Sequence, residues 1–193
     1  CPSMCKCAPE EIIYCNRAGL RALPGEIAAS TVSLNLSNNY LRILTTNAFR
    51  NLTFLHSLWL DGNNLTFLSP ETFHALSKLR ELHLSRNSHL TYLHANTFRG
   101  LLNLISLDLS HSLCNIFEIH PLLFSHLPSL ERLDLASNNT RYVPQAFRNL
   151  SSLTRLNLYL NNNQISSISE SAFLNINKVH FLHLSKNNLS SLP

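Results

Sequence analysis

The five cysteines carry the most pointed chemistry in this chain. Cys1, Cys5, Cys7 and Cys15 crowd its start, and Cys114 stands alone. Thiols this close either oxidise into a disulfide framework, which requires an oxidising compartment, or hold zinc as thiolates. The spacing C-x3-C-x-C-x7-C lacks the paired C-x2-C knuckles of ordinary zinc sites, so disulfides are expected, with the three pairings open. Cys114 reads as a small buried hydrophobe rather than a reactive thiol.

Ten histidines raise the question of metal, and Ser57, His83 and Asp108 that of acyl transfer. No strained nucleophile turn or oxyanion hole accompanies the serine, and four glycines could hardly build a phosphate loop. The chain is therefore read as no enzyme, with no cofactor and no metal. The acceptor pattern N-x-S/T occurs at Asn35, Asn51, Asn64, Asn138, Asn149 and Asn188.

Side chains act only where elements place them, and one stretch sets that placement. LHSLWLDGNNLTFLSPETFHAL, Leu55 to Leu76, follows L-x-x-L-x-L-x-x-N-x-L with a later Phe73, which is a leucine-rich repeat. Copies begin near Thr31, Leu55, Leu79, Leu104, Leu130, Leu153 and Val179, spaced 23 to 26 residues apart. Phenylalanine recurs at 49, 73, 98, 124, 147 and 173. One copy cannot bury its own leucines, so the copies must stack around a continuous core.

The expected fold is an α/β solenoid, a leucine-rich-repeat horseshoe with a parallel concave sheet, a mostly irregular convex side and a disulfide-bonded cap. Residues 1–30 are expected to form the cap. Residues 31–193 hold about seven repeats, the last incomplete and without a C-terminal cap, as in a truncated chain that starts at a processed Cys1. Asn39, Asn63, Asn87, Asn138 and Asn187 should point inward and satisfy backbone groups of neighbouring turns.

The fourth and sixth repeats are each two residues longer. Either loops bulge at 111–115 and 161–164, or Cys114 and Asn163 take the ladder position with the extra residues before it.

Residues between and beside the strand leucines should form concave columns. The central one reads Asn35, Trp59, His83, Asp108, Asp134, Asn157, His183. Beside it run Ser33, Ser57, Glu81, Ser106, Arg132, Arg155, Phe181, and on the other side Ser37, Asp61, Ser85, Ser110, Ala136, Tyr159, Ser185. The candidate ligand-binding residues are Trp59, His83, Asp108, Arg132, Asp134, Arg155, Tyr159 and Phe181. Trp59 either anchors a protein partner or packs on its neighbours. Arg132 and Arg155, read as one rung apart, either pair with Asp108 and Asp134 or dock a ligand. His83 and His183 lie four rungs apart, roughly 19 Å at strand spacing, too far to share an ion.

Asn51 and Asn149 occupy equivalent convex positions, and Asn64 and Asn188 share a flank, so glycans there leave the concave sheet open. A glycan on Asn35 would shield its first rungs, and Asn138 should be buried and bare.

Only 13% of residues are charged, and the net charge of +4 comes without a Lys/Arg run, so no nucleic-acid partner is expected. Arginines are densest at 132, 141, 148 and 155, which leaves a heparin-like glycosaminoglycan as a weaker alternative. No apolar stretch approaches the roughly 20 residues that span a bilayer.

The cysteine spacing ahead of repeats resembles the N-terminal cap of extracellular leucine-rich-repeat proteins. That resemblance implies pairing of Cys1 with Cys7 and Cys5 with Cys15. CPSMCKC with GLRALP, and the third repeat RNSHLTYLHANTFRGLLNLISLDLS, look most like the Nogo receptor and nyctalopin group. The resemblance implies a secreted or surface-anchored, non-enzymatic recognition scaffold of nervous tissue whose concave face binds a protein ligand or membrane receptor. Two alternatives share the architecture: a matrix protein of the small leucine-rich proteoglycan type, and an immune receptor of the jawless-vertebrate type.

Overall fold

A computed structural model describes residues 1–113, 119–141, 156–168 and 179–190. The chain opens on two antiparallel strands, β1 (Lys6–Ala8) and β2 (Ile12–Tyr14). Disulfides Cys1–Cys7 and Cys5–Cys15 staple them, with Cα separations of 6.0 and 4.4 Å. This is the pairing that the family resemblance implies. β2 then runs parallel to β3 (Ser33–Asn35), the first rung of the repeats, so the stapled segment covers the edge that the first repeat would expose.

Each following L-x-L contributes one short parallel strand: β5 (Ser57–Trp59), β7 (Glu81–His83), β9 (Ser106–Asp108), β10 (Arg132–Asp134), β11 (Leu156–Tyr159) and β12 (Val179–His183). They complete a nine-stranded sheet in the order β1-β2-β3-β5-β7-β9-β10-β11-β12. Alternation decides what faces inward: Leu34, Leu58, Leu82, Leu107, Leu133 and Leu158 are fully buried, and their strand neighbours are half-buried. Each such leucine contributes roughly 1.5 to 3 kcal/mol on burial, available only because the next turn covers it.

The core is continuous from Ile13 to Ile165. Along its convex side Phe49, Phe73 and Phe98 stack at 6.0 and 6.3 Å between ring centroids. Among the described residues there is no helix, and the convex side there is turns. A second parallel sheet lies beyond the ladder: β4 (Ile43–Leu44), β6 (Phe67–Leu68) and β8 (Tyr92–Leu93).

The ladder fixes the rungs. Asn63 Nδ2 donates to Leu60 O in its own turn at 3.0 Å and to Leu36 O in the preceding one at 3.1 Å, while Oδ1 accepts from Leu41 N at 3.1 Å. Asn39, Asn87, Asn138 and Asn187 repeat this scheme. In the fourth repeat the position belongs to Ser112, whose Oγ donates to Leu84 O and accepts from Asn87 N. Of the two placements open for this repeat, this rules out the one with Cys114 on the ladder; Cys114 itself lies outside the described residues.

In the sixth repeat Asn163 holds the ladder, bonded to Leu160 O at 3.0 Å and Leu135 O at 3.1 Å, so the extra residues precede it. The residue before each of these ladder positions is left-handed: Asn38, Gly62, Arg86, His111, Ser137, Asn162 and Lys186 have φ between 54° and 66°. That turn swings the ladder side chain from the strand into the core.

The concave face as candidate functional site

Strand pairing aligns one central column: Tyr14, Asn35, Trp59, His83, Asp108, Asp134, Tyr159 and His183. Beside it run Ile12, Ser33, Ser57, Glu81, Ser106, Arg132, Asn157 and Phe181. The sixth rung therefore differs from the sequence expectation by two residues. Tyr159 stands in the central column, Asn157 lies across from Arg132, and Asn161 takes the place expected of Tyr159. The cause is the ladder, because choosing Asn163 makes Leu158 the partner of Leu133. Arg155 lies outside the described residues, and the place beside Arg132 that was read as its own belongs to Asn157.

Trp59 is half-buried and stacks flat on His83, with centroids 5.1 Å apart and ring planes 3° from parallel. It thus packs on its neighbour and stays partly accessible to solvent. His83 Nε2 lies 3.4 Å from Glu81 Oε1 but in no hydrogen-bonding alignment with it. On the adjoining column Asp61 Oδ1 accepts from Ser85 N at 2.8 Å and Ser85 Oγ at 2.9 Å. Burial nonetheless raises the Asp61 pKa above the ordinary aspartate value, against the lowering by Ser85 and His83, and Asp108 adds to the rise. Asp108 Oδ1 accepts from Ser110 N at 2.9 Å and Ser110 Oγ at 2.7 Å.

Further along, Arg132 donates to Asp134 Oδ2 at 3.2 Å and lies 4.4 Å above the Tyr159 ring. Tyr159, half-exposed Phe181 and His183 then cluster, with centroids 5.5 to 6.1 Å apart. The structure thus gathers the predicted residues into two groups, Trp59–His83 beside Asp108 and Arg132–Asp134–Tyr159 beside Phe181. Among the described residues no three His, Cys, Asp or Glu side chains could hold a metal ion together.

Two features escaped the sequence reading. Tyr14, 46% exposed, heads the central column from the cap, although its alternation with Ile13 could have shown this. On the second sheet Ile43, Phe67 and Tyr92 share a register, and Phe67 and Tyr92 stack at 6.1 Å. Two-residue strands carry no periodicity that would reveal them.

Of the asparagines in the N-x-S/T pattern, Asn51, Asn64 and Asn188 are exposed and Asn138 is 3% exposed. Asn35, half-buried on the concave face, has its Oδ1 bonded to Ser37 N at 2.9 Å, and Asn149 lies outside the described residues.

Stacked parallel strands, an asparagine ladder and a stapled first turn define a disulfide-capped solenoid with one uncovered polar and aromatic sheet face. The family model described as leucine rich repeat matches residues 53–113, 78–139 and 112–159, and the chain belongs to that family. Nyctalopin of Mus musculus is 35% identical over 149 residues, 76% of this chain and 31% of its own length. Reticulon-4 receptor-like 2 of Homo sapiens is 38% identical over 110 residues, 56% of this chain and 26% of its own length. The chain thus spans about a third or less of either relative.

The structure of human 5T4 (Wnt-activated inhibitory factor 1, trophoblast glycoprotein) superimposes with a TM-score of 0.84 at 29% identity, covering all of this chain and 73% of that one. That of TLR13 with ssRNA13 gives 0.77 at 31% identity, covering 86% and 23%. With its disulfides, the chain is an extracellular leucine-rich-repeat protein resembling the nyctalopin and reticulon-4 receptor group.

Proposed function

We propose that the chain is a protein-recognition scaffold that binds a protein ligand on its concave face. In this reading a cap over residues 1–30 and the repeats over 31–193 hold that face rigid. The observation that carries the proposal is the open sheet with its two aromatic groups. Trp59–His83 and Tyr159–Phe181 present flat, half-exposed rings among polar side chains, the composition of interface anchors. We assign it to the cell-surface or secreted receptor type, with neuronal display as the family resemblance of its sequence implies. The matrix alternative has support of its own, since osteomodulin, podocan and lumican also align.

TLR13 is seen with RNA, but here Glu81, Asp108 and Asp134 stand among the aromatic rings, and carboxylates disfavour a phosphate backbone, which supports a protein partner. Arg132, already paired with Asp134 and Tyr159, offers little to a glycosaminoglycan. The test is an unbiased screen of the glycosylated protein against extracellular proteins, repeated with Trp59→Ala and Tyr159→Ala. Hits lost in either folded variant support concave recognition, and hits indifferent to both move the site to a flank.

A further inference from the structure

The concave face contains one arrangement twice, once filled and once open. At the fifth and sixth rungs a central-column ring, Tyr159, lies under a guanidinium from Arg132, which a neighbouring carboxylate, Asp134, holds. At the second to fourth rungs the ring is the Trp59–His83 stack, and the carboxylates are Asp61, Glu81 and Asp108. No lysine or arginine pairs with any of those three among the described residues. Asp61 and Asp108 each spend one oxygen, Oδ1, on a serine amide and hydroxyl, and their Oδ2 atoms carry no hydrogen bond there.

Charge singles out the same place. The chain carries a net +4, histidines counted neutral, yet all three of its aspartates, Asp61, Asp108 and Asp134, lie on this face. With Glu81 they make four described carboxylates there against one guanidinium, Arg132, a net of −3. Grouped anions with no Lys or Arg partner among the described residues repel one another, and a partner's cation relieves that repulsion while gaining a ring face to lie on.

We infer that a basic segment of the protein ligand, a Lys- or Arg-bearing strand or loop, docks on the second to fourth rungs, its cation against the Trp59–His83 stack and between Asp61, Glu81 and Asp108. The inference rests on concave recognition and names the chemistry of the partner. Arg132 supplies the internal precedent: within this sheet a guanidinium satisfies a ring and a carboxylate together. The flat rings accept the apolar stem of such a side chain, and the free carboxylate oxygens accept its N–H groups.

The test uses the glycosylated protein and a fluorescein-labelled peptide of alternating Arg and Ser, with the Glu–Ser peptide as control, followed by polarisation at physiological salt. The variants are Asp61→Asn/Glu81→Gln/Asp108→Asn, each nearly isosteric, and Glu10→Gln/Glu26→Gln/Glu71→Gln as a charge-matched change off the face. The Arg peptide should bind wild type and the off-face variant alike, at least tenfold more weakly the concave variant, and the Glu peptide none of them.

Equal binding to wild type and the concave variant, or no binding to wild type, overturns the inference. So does self-association of wild type that the concave variant abolishes, because the occupant is then a second copy. A screen hit lost with Trp59→Ala but kept by the amide variant refutes the basic segment alone, and one indifferent to Trp59→Ala, Tyr159→Ala and the amide variant refutes concave recognition as well.

Discussion

Replacing Asn63 with alanine should be among the most damaging single changes in the chain. Its side chain is 4% exposed and holds two carbonyls, Leu36 O and Leu60 O, and one amide, Leu41 N. Alanine leaves all three inside a wall of leucines that admits no water. An unsatisfied buried group costs about 1 to 3 kcal/mol, so partial relaxation of three of them still leaves a loss of about 3 to 6 kcal/mol.

Two comparisons sharpen the test. Asn63→Ser should cost about half as much, because Ser112 shows that a hydroxyl at this position reaches the preceding turn's carbonyl. Asn187→Ala should cost about 1 kcal/mol, since Asn187 is half-exposed and water can replace its bonds. The assay is urea unfolding of the secreted protein, followed by circular dichroism and by hydrogen exchange at the Leu41 amide. An Asn63→Ala variant within 1 kcal/mol of Asn187→Ala would refute the argument that the ladder stabilises by satisfying buried backbone.

Gly100 has φ of 95°, and a Cβ there would meet the backbone oxygen of His74 at 2.5 Å. Gly100→Ala should therefore lose about 1 to 3 kcal/mol in the same unfolding assay, with a neutral result arguing against that close approach. Site-resolved mass spectrometry of protein from mammalian cells should find glycans at Asn51, Asn64 and Asn188 and none at Asn138. Asp61 titrates with the opposite sign from most carboxylates. Its folded pKa is raised above the unfolded value, so the folded state binds more protons between the two, and stability falls as pH rises through that window. Asp61→Asn should thus gain most over wild type at neutral pH and lose that advantage in acid, and a pH-independent difference in unfolding midpoint would contradict the burial argument.

Most of the architecture is legible because it repeats. The leucine alternation and the asparagines at 39, 63, 87, 138 and 187 recur against one template, and stacking leaves them a single place to go. Legibility fails where the template admits two frames. LNLYLNNN offers leucines at 156, 158 and 160, all fully buried, so alternation alone cannot say which pair is L-x-L. The decision belongs to Leu135 O and Leu160 O, a pair of carbonyls from different turns that only Asn163 can bridge. That choice carried Tyr159 into the central column beneath Arg132. Ser112 hid for another reason, since a serine among many serines gives no sign that it replaces an asparagine. The open carboxylates were visible as residues, but that no Lys or Arg among the described residues pairs with them is a property of neighbours in space.

Asn138 heads an N-x-S/T sequon and is also a ladder residue, 3% exposed, whose Nδ2 donates to Leu109 O and Leu135 O. A glycan on that nitrogen and these two hydrogen bonds are mutually exclusive, so a sugar attached there would leave both carbonyls without their donor. Closing the fifth turn and modifying it would therefore be competing events, and the ladder would be complete only in copies that fold first.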